Sequence, residues 1–131
     1  MNKLVWIKTA FAACGTAICT WLGGWDVSLQ VLVILVVWDY VTGLYAGWYH
    51  KELSSYKGSK GITKKIILFV PIGMAYWLDV MLGQDILRGL AIWFYVANEG
   101  LSIIENLGKV DLLIPKIVKD ALEQLKSKAG E

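Results

Sequence analysis

VSLQVLVILVVWDYVTGLYAGWY, residues 27–49, is an unbroken apolar run with a single carboxylate, Asp39, almost at its centre. A run of this length crosses a bilayer as a helix. A charge at mid-bilayer costs roughly 2.5 kcal/mol or more on insertion scales, so Asp39 must be paired, protonated or wet. At about 100° per residue, Asp39, Thr42, Gly43, Ala46 and Gly47 share one small and polar face. Gly43 and Gly47 form a G-x-x-x-G pair, which lets helices approach closely. Packing within one subunit and contact between subunits both fit that pair.

Outward from this run, the chain repeats the same pattern. Its 131 residues are 56% hydrophobic and its mean hydropathy is +0.53, too apolar for a soluble domain of this size. Seven Trp and six Tyr suit a membrane protein, whose interfaces favour such rings. The first block, at about 4–22, has a basic start but no convincing cleavage site, and is read as a retained transmembrane helix. Lys8, Ala12, Gly15, Thr16 and Cys19 lie on one of its faces. Cys14 and Cys19 point to different faces, and no disulfide is expected. From His50 to Lys65 the chain reads as a hydrophilic loop with five lysines (Lys51, Lys57, Lys60, Lys64, Lys65). Its Gly-Ser-Lys-Gly-Ile-Thr-Lys-Lys lacks the spacing of a phosphate loop and has no preceding strand. A third block, at about 66–82, contains Pro71, which is expected to kink it. Asp79 near its far end can reach water or Arg88.

The fourth block, at about 86–105, ends in Asn98-Glu99-Gly100-Leu101-Ser102-Ile103-Ile104-Glu105-Asn106. On a helical wheel Asn98, Glu99, Ser102, Glu105 and Asn106 fall within an arc of about 120°. A lipid-facing helix would not gather its polar groups so. The fold expected is therefore an all-α integral membrane protein with four transmembrane helices. A C-terminal amphipathic helix should follow at about 115–127, with Pro115 in its first turn. Its stripe Ile117, Val118, Ala121, Leu122 and Leu125 is flanked by lysines, and suits either an anionic leaflet or a solvated tail. Residues 1–108 form the membrane domain on this reading and 109–131 a cytoplasmic tail.

Lys and Arg number two near the start, none in the first turn, five in the middle loop, one in the next turn and five after the last span. The positive-inside rule then puts both termini and the lysine loop in the cytoplasm. By rise per residue, Asp39 lies near the midplane, with Glu99 and Lys8 about 6–7 Å to its cytoplasmic side. Lys8 is thus the expected ion-pair partner of Glu99 or Asp39. The residues Asp39, Thr42, Asn98, Glu99, Ser102, Glu105 and Asn106 are the candidates for an intramembrane polar site. Gly15, Gly43, Ala46 and Gly47 are candidates for helix packing. One histidine, His50, and two isolated cysteines offer little for a catalytic triad or metal site. No enzyme activity, cofactor or metal is expected, and a net charge of +2 does not call for nucleic acid.

Asp39-Tyr-Val-Thr42-Gly43, Leu53-Ser54-Ser55, Lys60-Gly61-Ile62-Thr63-Lys64-Lys65 and the Asn98–Asn106 element resemble, in this order, the signatures of a phage holin family. Proteins used for toxin release in some bacteria are similar to it. Ile114-Pro115-Lys116 and Ala121-Leu122-Glu123-Gln124-Leu125 resemble that family's tail. The resemblance runs from Trp25 to Lys126 and is most specific in the Asn-Glu-Gly-x-Ser-x-x-Glu-Asn element. It implies a homo-oligomer in the bacterial cytoplasmic membrane that opens lesions at a set time. An endolysin, functionally coupled but not directly contacted, would pass through them and host lysis would follow. The alternative from the residues alone is a small ion or proton channel or carrier subunit using Asp39 and Glu99.

Overall fold

The computed structural model describes residues 2–110 and 116–130. Among them the regular structure is entirely helical: α1 (Lys3–Trp21), α2 (Val27–Tyr49), α3 (Ser55–Ile67), α4 (Phe69–Leu82), α5 (Leu87–Gly108) and α6 (Lys116–Gly130). Three stretches are long and apolar enough to cross a membrane: Lys3–Trp21, Val27–Tyr49 and Ser55–Leu82. This is a membrane protein by length and composition. The expected fourth span corresponds to α5, which matches the others in length but is less apolar. It packs against α2, α4 and α6 and forms the centre of the bundle.

The lysine loop requires correction. From Ser55 the chain is helical, because the Ser54 hydroxyl caps the helix by accepting the Lys57 N–H at 3.1 Å. The third span therefore begins at Ser55 and not near residue 66. It breaks at Leu68, between α3 and α4. Pro71, in the first turn of α4, has no N–H to offer the Ile67 carbonyl four residues back, and the helix parts there.

The apolar core lies in one half of the bundle: Leu22, Leu29, Leu32, Val36, Ile72 and Ile92, with Phe69, Tyr95 and Val96 against it. Two polar ties close that end. The Arg88 guanidinium donates to Asp26 at 2.6 Å and to the Leu22 and Gly24 carbonyls at 2.6 and 3.0 Å. The buried Asp79 carboxylate accepts the Leu87 and Arg88 backbone N–H groups, both at 2.9 Å. It thus satisfies the exposed donors at the start of α5. α1 has no buried residue and is docked at its end, where Trp21 lies over Gly73. A methyl group at Gly73 would come within 1.8 Å of that indole.

α6 lies antiparallel along α5. Leu122 sits over Gly100, at 3.0 Å from where a Cβ would project, and Lys126 lies 6.0 Å from the centre of the Phe94 ring. Pro115, expected in its first turn, lies outside the described residues.

Gly73→Ala should destabilise the protein in detergent by about 1–3 kcal/mol. A double-mutant cycle with Trp21→Ala should show strong coupling between the two positions. Arg88 holds the Asp26 carboxyl down at about 2, from an ordinary 3.8. The stabilisation is complete above the ordinary value and is lost as pH falls through about 2. The stability gap between wild type and Asp26→Asn, measured by thermal unfolding, should therefore be open at pH 6 and closed in strong acid.

Candidate functional site

Beyond the apolar half, the interior becomes polar. Asp39 of α2 and Glu99 of α5 are buried, at 4% and 2% exposure, and both receive the same ammonium. Lys65 Nζ pairs with Asp39 and donates to the two Glu99 oxygens at 3.0 and 2.9 Å. Local structure explains how a lysine reaches this depth. α3 runs back along α2, with Leu53 against Gly47 and Gly61 against the Tyr40 ring. The Tyr40 hydroxyl donates to the Gly58 carbonyl at 3.2 Å. Gly58, Gly61 and Lys65 share a face at helical spacing. The two glycines face Tyr40, and the third position delivers the charge.

Asn106 completes the cluster. Its Nδ2 lies 2.9 Å from Asp39 Oδ1, 3.1 Å from the Asp39 carbonyl and 3.0 Å from the Thr42 hydroxyl. Gly43 lies beside it, with the same nitrogen 3.5 Å from where a Cβ would stand. Among the described residues no buried side-chain polar atom lacks a partner. Two carboxylates, one ammonium and one amide therefore satisfy one another where α2, α3 and α5 meet. A cavity of about 570 Å³ leads to this cluster. Ser102, Asn106 and Lys65 line its inner part, and His50, Glu52, Lys57 and Lys109 line the rest. His50 Nε2 lies 2.8 Å from the Lys109 carbonyl and links the far ends of α2 and α5.

The other candidates are dispersed. Asn98 is half-buried and Glu105 exposed, so the polar arc of α5 is divided: Glu99 and Asn106 turn inward while Glu105 turns out. Ala46 is buried and Gly47 carries Leu53, whereas Gly15 has no neighbour within 4 Å of its Cβ position. Lys8 is exposed on α1. The partner of Asp39 and Glu99 is Lys65, not Lys8, because only α3 packs beside both acids. Sequence reading missed Lys65 by taking residues 50–65 for a loop. The Gly58, Gly61, Lys65 spacing was the available signal.

Each cluster residue comes from one of three separate sequence elements: Asp39, Thr42 and Gly43 from the first, Lys65 from the second, Glu99 and Asn106 from the third. The bacteriophage holin family model matches residues 16–127, which contain all three. The chain belongs to the bacteriophage holin family. It is 40% identical over 97% of its length, and 98% of the relative's, to an uncharacterized 14.9 kDa protein of Clostridium perfringens. To an uncharacterized protein of Halalkalibacterium halodurans it is 35% identical, covering 92% of this chain and 93% of the relative. A probable holin of Bacillus phage phi105 is 33% identical over 76% of this chain and 74% of its own. No solved structure matches. Holin-family membership and three apolar helices agree on a membrane protein.

Removing Lys65 would strand two buried carboxylates. Lys65→Met should cost about 3–5 kcal/mol, read as a lower unfolding temperature in detergent. Adding Asp39→Asn and Glu99→Gln to that variant should recover most of the loss, since the uncompensated charge is then gone.

Proposed function

We propose that this chain is a four-span holin that accumulates in the bacterial cytoplasmic membrane, self-associates and opens lesions through which an endolysin passes. The single observation carrying this reading is the Asp39–Lys65–Glu99 cluster, buried inside a bundle whose outside is apolar. Trp6, Phe11, Ile34, Trp38, Met74 and Met81 all face outward, so the subunit can remain in lipid while its charges satisfy one another. A lock made of charges has two states, paired inside one subunit or hydrated, and membrane potential can bias that choice. Moving one charge across 100 mV is worth roughly 2.3 kcal/mol. The lock therefore holds single bundles closed until crowding and potential favour the hydrated arrangement. Self-association is through small faces such as that of Gly15, which is uncovered in the monomer.

Four spans put both termini in the cytoplasm. The turns at residues 22–26 and 83–87 meet at one end through Arg88, whereas Lys51, Lys57 and Lys109 lie toward the other. The charge bias places the second end inside. An endolysin shares the pathway and makes no direct contact.

A second reading, a selective ion or proton channel subunit using Asp39 and Glu99, is favoured by the cavity that Asp39 and Lys65 line. Inducible expression in a bacterium separates the two. A holin lets a cytoplasmic enzyme escape and, with an endolysin present, collapses culture density. A selective channel dissipates the membrane potential and retains the enzyme. In a variant lacking Cys14 and Cys19, single cysteines at Gly24 and Gln84 should label from outside intact cells, and one at Ser59 should not. Labelling at Ser59 before lysis would overturn the topology. Glu99→Gln and Asp39→Asn should each shift the onset of lysis at equal membrane abundance, checked by immunoblot.

A further inference from the structure

Glu105 on α5 is an acid that the Asp39–Lys65–Glu99 cluster leaves out. It is exposed, as is Lys8 on α1, and among the described residues neither forms a salt bridge. The two stand at one level. Asn106, next to Glu105, bonds Asp39 and Thr42, which lie roughly 18 and 22 Å from the Val27 end of α2 by rise per residue. Lys8 lies roughly 20 Å from the Trp21 end of α1, across the turn that joins the two helices. Lys3–Trp21 and Val27–Tyr49 are both long and apolar enough to span, so this level falls inside the membrane. An unpaired carboxylate there is costly.

The two helices also match in register. Lys8, Ala12 and Gly15 share one face of α1, and Glu105, Leu101 and Asn98 share one face of α5. In a four-span chain α1 and α5 run in opposite directions. With Lys8 beside Glu105, Ala12 then falls beside Leu101, and Gly15 beside Asn98. Small side chains stand opposite larger ones, which lets helices approach closely in lipid. The surface on α1 is free, since Gly15 has nothing within 4 Å of its Cβ position. α1 has no buried residue, and Trp21 over Gly73 docks only its end. Lys64 on α3 is exposed too, but α3 already packs along α2, whereas most of α1 lies bare.

Resting on the self-association in the holin reading, we infer that α1 of one copy docks along α5 of a second copy, with Lys8 paired to Glu105. The contact is heterologous: each copy offers α1 to one neighbour and α5 to another. Such a contact closes into a ring or extends as a chain, as an assembly of many copies around a lesion requires. α1 is the arm by which the copies join.

Full-length protein lacking Cys14 and Cys19, expressed in bacterial membranes, tests this. Gly15→Cys on one tagged copy and Asn98→Cys on a differently tagged copy should give a disulfide-linked heterodimer on oxidation. Both substitutions in one chain should give a ladder of dimers, trimers and larger species. No cross-link, or one confined to single chains, overturns the proposal. Charge reversal gives a second readout. Lys8→Glu and Glu105→Lys should each weaken the ladder at least fivefold, and the two together should restore it. Lys64→Glu with Glu105→Lys should not. A Lys8→Glu, Glu105→Lys protein no better than either single variant overturns the pairing. If the reversed variants fail to accumulate, the heterodimer decides alone. Wild-type protein that releases no cytoplasmic enzyme sinks the holin reading itself, whereas normal release without the cross-link sinks only this contact.

Discussion

One ammonium shared between two buried carboxylates sets the arrangement of this molecule. Lys65 reaches Asp39 on α2 and Glu99 on α5 at once, and among the described residues neither acid has another cation as a hydrogen-bond partner. Bringing a carboxylate out of water costs several kcal/mol, so the two helices that carry them are bound to keep α3 beside them. α3 must then fold back along α2, with Gly58 and Gly61 against Tyr40, and the third span must break near Pro71 to continue as α4. The path of the chain through its middle third follows from where that charge has to be.

The two ends of the bundle are held by different chemistry. At the end that carries Arg88, a guanidinium gathers the α1–α2 turn by donating to two carbonyls and to Asp26, while Asp79 closes the start of α5. These contacts are directional. In the other half the cluster is ionic, connects to a cavity, and draws its members from three helices. One end is thus tied by directional bonds to backbone and to Asp26, and the interior is held by charge.

Much of this was legible in the chain. Apolar blocks at transmembrane length marked α1, α2 and the apolar part of the third span. Asp39, Glu99 and Asn106 stood out because polar groups in such blocks need partners, and all three are buried at the cluster. The partner was misjudged. Lys8 lay at a suitable depth by counting, but depth says nothing of which helices are neighbours, and α1 touches the bundle only near its end. Lys65 sat in a lysine-rich stretch whose overall polarity hid its helical period. The fold-back of α6 was not legible either, because an amphipathic helix pairs equally well with a leaflet, with water or with another helix. The Gly100 surface that decides among these exists only once α5 has packed.

The order of the cluster along the chain also bears on how the protein enters its membrane. Asp39 precedes Lys65 by 26 residues, and Glu99 follows Lys65 by 34. During synthesis α2 therefore emerges with a carboxylate whose counter-charge has not yet been made. Insertion as a solitary helix would place that carboxylate in lipid, at roughly 2.5 kcal/mol or more. Waiting for α3 allows the two to partition together with that carboxylate already paired to Lys65. Glu99 then arrives at an ammonium already in place. The acid, the base and the second acid are thus made in turn, and α2 together with α3, rather than α2 alone, is the smallest part of the chain in which Asp39 is paired.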